Sequence, residues 1–364
     1  MKDYHIFIPN YTVGAECYKE IPWATRKYGK TAVVIGGKTA MAKVKDALLE
    51  GIAGSDVKIT DFVWYGGEAT YENADALIAM DAVKNADMIF AVGGGRVMDT
   101  CKVVREKLDK PLFTFPTIGS NCAASTSIAV IYHPDGSVNN YFYGIEPADH
   151  IFINTKIIAE SPDHLFWAGI GDCISKELEA ELSIRGHKAS HTPLMGNAMS
   201  KICIDPLIEY GKKAYEDCKN NAVSYELEQV VLDIIITTGY VSNFMTTEND
   251  YYYNSSIAHG FYNGTSVIPN CIKNHLHGEI VSFGSLVLLT YDKNYAECDR
   301  IMAFHKEMGL PVCMEDIGLT DADLPAVAER SSITKEWTCV PYELTKEKFI
   351  AAIRECSERG KCFK

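Results

Sequence analysis

At 364 residues the chain exceeds the usual size of a single hydrophobic core, so two domains are the starting expectation. Apolar residues make up 47% and charged residues 23%, ordinary values for a globular protein. A formal charge of −13 and a pI near 5.3 argue against nucleic-acid and anionic-membrane surfaces, which need clustered Lys and Arg.

No window approaches the ~18 apolar residues that a membrane span requires. The opening run Met1 to Pro9 breaks at its proline and has no signal-peptide core. The 12 cysteines are scattered and include no Cys-x-x-Cys pair. They are expected to be reduced thiols, mostly packed as small hydrophobes in a cytoplasmic chain. No repeat of 20–50 residues is present.

From the N-terminus, Thr31 to Gly36 reads as a buried strand ending in Gly36-Gly37, and Lys38 to Gly51 as a helix. Val57 to Tyr65 reads as the next strand and Thr70 to Ala86 as the next helix. Met88 to Val92 is a third strand, running into Gly93-Gly94-Gly95, and Pro111 to Pro116 is a fourth. Ile128 to Tyr132 and Tyr141 to Tyr143 flank Pro134-Asp135-Gly136, a turn signal for an antiparallel excursion.

Beyond Asp163 the β signals fade and helix-compatible blocks follow at 207–218, 224–243, 278–291 and 346–358. The boundary is placed at Glu160-Ser161-Pro162. The expected fold class is an α/β N-terminal nucleotide-binding domain with a parallel sheet, residues 1–160. An all-α C-terminal domain, residues 161–364, is expected to hold metal and substrate, with a cleft between the two.

Strand, then Gly93-Gly94-Gly95, then helix is the pattern of a phosphate cradle, because glycine admits a pyrophosphate to the backbone and to the helix N-terminus. It is not the Gly-x-Gly-x-x-Gly fingerprint, since Met98 stands where the third glycine belongs. Asp99 and Lys102 follow on successive helical turns and read as a surface ion pair of small worth. The small polar loop from Pro116 to Ser127 lies at a strand's carboxyl end, where open α/β sheets bind ligands.

The other chemistry-bearing stretch is Ala168-Gly-Ile-Gly-Asp172. Two glycines before an acid and a helical run after it place Asp172 in the first turn of a helix, with Lys176 on the same face. Together with His259 and His277 it makes a carboxylate–imidazole–imidazole set, suited to a borderline metal with one position left for water or substrate. His275 and His277 are two residues apart and point differently, and His277 is chosen because Gly278 opens a helix after it. Glu279 reads as a helix N-terminal acid or as a partner orienting His277. His187 and His191 have no acidic motif around them and read as surface or loop residues.

These stretches jointly resemble the iron-containing alcohol dehydrogenase superfamily and, within it, the glycerol dehydrogenase-like branch. The matching runs are Gly93–Lys102, Pro116–Ser120, Val130–Tyr132, Ala168–Lys176, Ala258-His259 with Asn263-Gly264, and His277–Glu279. The resemblance implies the dehydroquinate synthase-like fold of that family and a divalent metal held by Asp172, His259 and His277. It also implies pyrophosphate contacts at Gly94, Gly95, Arg96 and Val97, with Thr117, Ser120, Thr126, Ile128 and Tyr132 around the nicotinamide half. Gly37 is counted among the cofactor contacts.

Three departures refine the resemblance. Iron-using branches place a further His one turn after the aspartate, where this chain has Lys176, so zinc is expected in preference to iron. Glycerol dehydrogenases carry an acid in the loop that here reads Asn121-Cys122-Ala123, a form similar to the hydroxycarboxylate dehydrogenase group. Cys122, and with it Lys176, are therefore the substrate-side candidates, a thiol sparing a substrate carboxylate the repulsion of an acid. Finally, Gly36-Gly37-Lys38 lacks the acid that binds an NAD ribose, which leaves NAD and NADP both open.

The implied activity is hydride transfer between a nicotinamide cofactor and a small secondary alcohol, either a polyol or a 2-hydroxy acid. A lyase like 3-dehydroquinate synthase, which uses NAD transiently, and a catalytically inactive nucleotide-binding regulator are the alternatives. The expected partners are a small-molecule substrate and copies of the same chain in a homo-oligomer, with no nucleic acid and no membrane.

Overall fold

The computed structural model describes residues 4–363. The chain divides into two compact units: one runs to Phe166 and takes in Ala214–Asn243, and the other comprises Trp167–Lys213 and everything from Phe244 onward.

The first unit carries a six-stranded sheet in the order β1-β8-β5-β4-β2-β3, with every pairing parallel. Its strands are β1 (Asn10–Val13), β2 (Thr31–Gly36), β3 (Lys58–Trp64), β4 (Met88–Gly93), β5 (Leu112–Pro116) and β8 (His150–Ile153). β4 and β5 are buried along their whole length, the near-continuous apolar run of strands covered on both faces. One face is filled by aromatic rings: Phe115 stacks on Phe152 at 5.0 Å, and Tyr18 meets Phe115 edge-on at 5.3 Å.

Four sheet strands were legible in advance, and β1 and β8 were not. Each is four residues long, too short for alternation to register, and they find each other only across the fold. β6 (Ile128–Tyr132) and β7 (Val138–Tyr143) form the separate antiparallel hairpin that the Pro-Asp-Gly turn foretold. The helix expected over 70–86 is two helices, Tyr71–Ala79 and Asp81–Asn85. Met80 adopts extended backbone between them (φ −74°, ψ 132°), ending one and starting the next.

The return of 214–243 to the first unit has a specific physical cause. Asn243 accepts from Ser127 N–H at 3.0 Å and donates to the Ser125 carbonyl at 2.8 Å, while the Ser125 hydroxyl donates to the Ile235 carbonyl. These bonds fasten the polar loop after β5 to the helical segment. That segment itself carries a π-helical turn at Asp233–Thr237, where Thr238 Oγ1 donates to the Asp233 carbonyl.

The second unit is helical. At its centre is the His277–Tyr291 helix, buried continuously from Ile280 to Thr290, as expected of a helix that is apolar all round. No helix among the described residues is long and apolar enough to cross a membrane. All 12 cysteines are free thiols, mostly buried, as their scattered spacing suggested.

Candidate active site

In the first unit the cradle is one continuous strand–turn–helix. β4 ends at Gly93, Gly94 caps the Gly95–Leu108 helix, and Thr117 N–H donates to the Gly93 carbonyl at 3.1 Å. Gly93 has φ +149°, and a Cβ there would lie 2.9 Å from Val97 Cγ2, so only glycine fits without strain. Val97 is buried beneath the turn, while the Arg96 guanidinium is exposed and pairs with Glu68 at 3.2 Å.

Asp99 and Lys102 are not the surface pair their spacing suggested. Both are buried, and the Lys102 ammonium donates to Asp99 Oδ1 at 3.0 Å, Thr126 Oγ1 at 2.9 Å and the Ile128 carbonyl at 2.7 Å. Asp99 Oδ2 in turn accepts from Val130 N–H at 3.3 Å. This ion pair latches the cradle helix to β6, so Thr126 and Ile128 serve as its anchor points. Tyr132 continues the same strand, its N–H donating to the Ala69 carbonyl at 2.8 Å.

The Ser120–Ser125 loop is folded on itself. Asn121 Oδ1 accepts from Ala123 N–H at 3.0 Å, and the half-buried Cys122 presents its carbonyl to the Ser125 N–H at 2.9 Å. A Cβ on Gly95 would lie 2.9 Å from Asn121 Nδ2, so the loop packs directly on the cradle.

In the second unit Asp172, His259 and His277 converge, each offering a donor atom within 4.8 Å of the other two. Asp172 Oδ1 lies 3.2 Å from His277 Nε2 and 3.7 Å from His259 Nε2. Asp172 is not in a first helical turn, as its glycines suggested, but in the middle of the Asp163–Ile184 helix. Gly171 serves a close crossing instead. A Cβ on Gly171 would lie 2.7 Å from the Gly278 carbonyl oxygen, and one on Gly278 only 1.9 Å from that of Ala168. Backbone therefore touches backbone where the two helices meet, which brings His277, the first residue of its helix, up to Asp172.

His259 is held by a residue the sequence reading did not single out. Its Nδ1 lies 2.5 Å from Glu179 Oε2, while Glu179 Oε1 accepts the N–H groups of Ser256 at 2.7 Å and His259 at 2.9 Å. The available signal was spacing: Glu179 follows Asp172 by seven residues, two turns along one helix face. With Nδ1 donating to Glu179, Nε2 is the ring nitrogen left to face Asp172. Burial opposes charge on Glu179, but His259 outweighs it and holds the carboxyl below its usual range. Burial likewise works against the charged imidazole, and Glu179 overcomes it to raise the His259 pKa. Asp172 follows the same logic: burial pushes it up, and His277, then His259, bring it below the ordinary carboxylate range.

These residues fit a divalent cation. Asp172 Oδ1 is buried and makes no well-directed hydrogen bond, an orphaned oxygen beside two imidazole nitrogens. Lys176 does not supply the missing partner. It is buried, and its ammonium donates to the Asn254 side-chain oxygen at 2.7 Å and backbone carbonyl at 3.0 Å, which runs against its expected role toward substrate. Glu279 is an N-terminal acid: it accepts from Leu276 N–H at 3.0 Å and pairs with His275 Nδ1 at 2.9 Å, leaving His277 to the triad. His187 and His191 are exposed, as expected.

A parallel sheet with a glycine cradle, and a helical unit with an Asp-His-His triad, are the parts of a metal-dependent dinucleotide oxidoreductase. The family model for iron-containing alcohol dehydrogenase matches residues 9–147. A glycerol dehydrogenase from Thermotoga maritima is 28% identical over 98% of this chain and 97% of its own length. Hydroxycarboxylate dehydrogenase A from Escherichia coli is 28% identical over 70% of this chain and 68% of its own. The crystal structure of glycerol dehydrogenase from Schizosaccharomyces pombe shares the fold with a TM-score of 0.87 at 24% identity, covering 100% of this chain and 92% of that one. The chain is therefore similar to iron-containing alcohol dehydrogenases over residues 9–147 and to glycerol dehydrogenases along nearly its whole length.

Proposed function

We propose that the chain is a metal-dependent, NAD(P)-linked alcohol dehydrogenase that interconverts a small secondary alcohol and its carbonyl by hydride transfer. The observation that carries this reading is the triad, an orphaned buried carboxylate oxygen facing two imidazole nitrogens, one of them fixed by Glu179. A divalent ion bound there supplies Lewis acidity to the substrate oxygen. Asp172, His259 and His277 hold it, and Glu179 keeps the proton on His259 Nδ1 so that Nε2 stays available. Gly94 and Gly95, with Arg96 and Val97, would receive the pyrophosphate at the helix N-terminus. Thr117, Ser120, Thr126, Ile128 and Tyr132 line the nicotinamide half in the same reading, and Gly37 the adenosine end.

Zinc in preference to iron belongs to this reading, because Lys176 occupies the place of a further His and its ammonium is committed to Asn254. A homo-oligomeric state and a cytoplasmic setting complete it. The substrate is a polyol, as the names of the glycerol dehydrogenase relatives suggest. A 2-hydroxy acid is the second reading, favoured by one observation: Cys122 puts no charge where a polyol-binding acid would stand.

The test is a panel of glycerol, dihydroxyacetone, 2-oxobutanoate and 2-oxoglutarate with NAD(H) and NADP(H), after loading with zinc or iron. Reduced-nicotinamide absorbance should change with one class of substrate and only with metal present. Efficient glycerol oxidation removes the 2-hydroxy-acid reading. Turnover without net cofactor oxidation, or none with any compound, removes the dehydrogenase reading.

A further inference from the structure

Resting on the dinucleotide reading above, we propose that the adenosine end of the cofactor site receives a 2′-phosphate through Lys38, so that the chain prefers NADP to NAD.

The placement follows from sheet register. β4 ends in the glycine cradle, β2 lies beside β4 with Gly36 opposite Val92, and β3 lies beside β2 with Gly36 opposite Trp64. The carboxyl ends of β4, β2 and β3 therefore form one ledge, with neighbouring strands about 4.8 Å apart. A dinucleotide whose pyrophosphate rests on the cradle extends its adenosine along this ledge, over the residues that follow β2. A site selective for the ribose 2′-hydroxyl presents a carboxylate there, which accepts from the hydroxyl and repels a phosphate.

Here those residues are Gly37 and Lys38. Gly37 is not crowded, since a Cβ on it would make only ordinary van der Waals contact, with Ala40 Cβ at 3.9 Å. The exposed Lys38 ammonium is held 4.6 Å from the Trp64 ring centroid, and among the described residues no carboxylate forms an ion pair with it. Glu68, just past β3, is occupied by Arg96 at 3.2 Å and by Ala69 N–H at 3.0 Å. A cation restrained over an indole face has lost part of its rotamer freedom before any ligand arrives. The ledge thus carries a positioned positive charge where an NAD site carries a negative one.

Adenosine fragments test this without metal or turnover. Calorimetric titration of the full chain should show 2′,5′-ADP binding roughly tenfold tighter than 5′-AMP, the scale of one charge-assisted phosphate contact. Lys38→Ala should bring the two fragments to within about threefold, Lys38→Glu should reverse their order, and Trp64→Leu should narrow the gap less than Lys38→Ala does. Equal affinities in the unaltered chain, or an undiminished preference in Lys38→Ala, overturn the proposal. If 5′-AMP binds without any preference for 2′,5′-ADP, only this proposal fails. If neither fragment binds, the dinucleotide reading fails with it.

Discussion

In the first unit, Gly93 to Val97 are consecutive residues of one crossover, and the groups they offer are backbone amides set by a left-handed glycine and a helix start. In the second unit, Asp172, His259 and His277 sit on three helices far apart in sequence and offer side-chain atoms. The two regions pay for function differently. The cradle satisfies its groups locally, through Thr117 and through the Lys102–Asp99 latch behind it. The triad leaves a buried oxygen unsatisfied and depends on a glycine crossing and one second carboxylate, Glu179, to hold its geometry. A locally built site should tolerate damage elsewhere, whereas a site assembled over distance should fail whenever its supports move.

The largest effect is expected at the triad itself. Asp172→Asn should abolish stoichiometric metal binding and lower kcat about 10³-fold, the scale of several kcal/mol of lost Lewis-acid stabilisation. Elemental analysis of the purified variant, alongside kcat and AMP binding, checks this. Loss of AMP binding as well would break the distinction between the regions.

A pH effect on stability follows from one buried imidazole in each unit. His305 in the second unit is fully buried, with Nδ1 2.8 Å from the Pro311 carbonyl and Nε2 unpaired, and burial pushes its pKa down from 6.5 to about 4. Burial lowers His150 of β8 in the first unit to about 4 as well. A depressed imidazole pKa means that the unfolded chain binds more protons between about pH 4 and 6.5. Stability is therefore fully present above pH 6.5 and is lost as pH falls toward 4, by about 3 kcal/mol for His305. Urea unfolding at pH 7, 5.5 and 4.5 measures it, and His305→Gln should flatten the slope. An unchanged slope in that variant would remove His305 as the source.

Gly278→Ala should force the two helices of the triad apart, because its Cβ would lie 1.9 Å from the Ala168 carbonyl oxygen. A destabilisation of about 1–3 kcal/mol, with weakened metal binding, is expected. Thermal unfolding and metal titration would reveal it. Glu179→Gln should lower metal affinity by about 10–100-fold with little change in AMP binding, since it disturbs only the imidazole that Glu179 orients. The smallest effect is expected at the cradle: Gly93→Ala should weaken AMP or dinucleotide binding by about fivefold through backbone strain, at unchanged metal affinity.

The glycine cradle, the four central strands and the hairpin could be read from the chain because each is a local pattern whose cause lies within ten or so neighbouring residues. The three metal candidates were legible as residue types. Their convergence was not, since nothing in a linear sequence measures the distance between helices. The same limit explains the errors. Gly169 and Gly171 signalled a helix start on local grounds, yet both sit inside a helix, Gly171 where the backbone of Gly278 crosses. Asp99 and Lys102 have surface-pair spacing, yet β6 folds over them and buries both.

The sequence by itself determined the α/β beginning, the helical remainder, the glycine turn between strand and helix, and donor types of the kind suited to a divalent metal. Only the tertiary structure decided that β1 and β8 extend the sheet, that 214–243 belongs with the first unit, and that Glu179 holds His259 while Glu279 pairs with His275. The physical reason is common to all three: short strands, returning segments and supporting carboxylates gain their energy from partners distant in the chain, and local propensity carries no record of those partners.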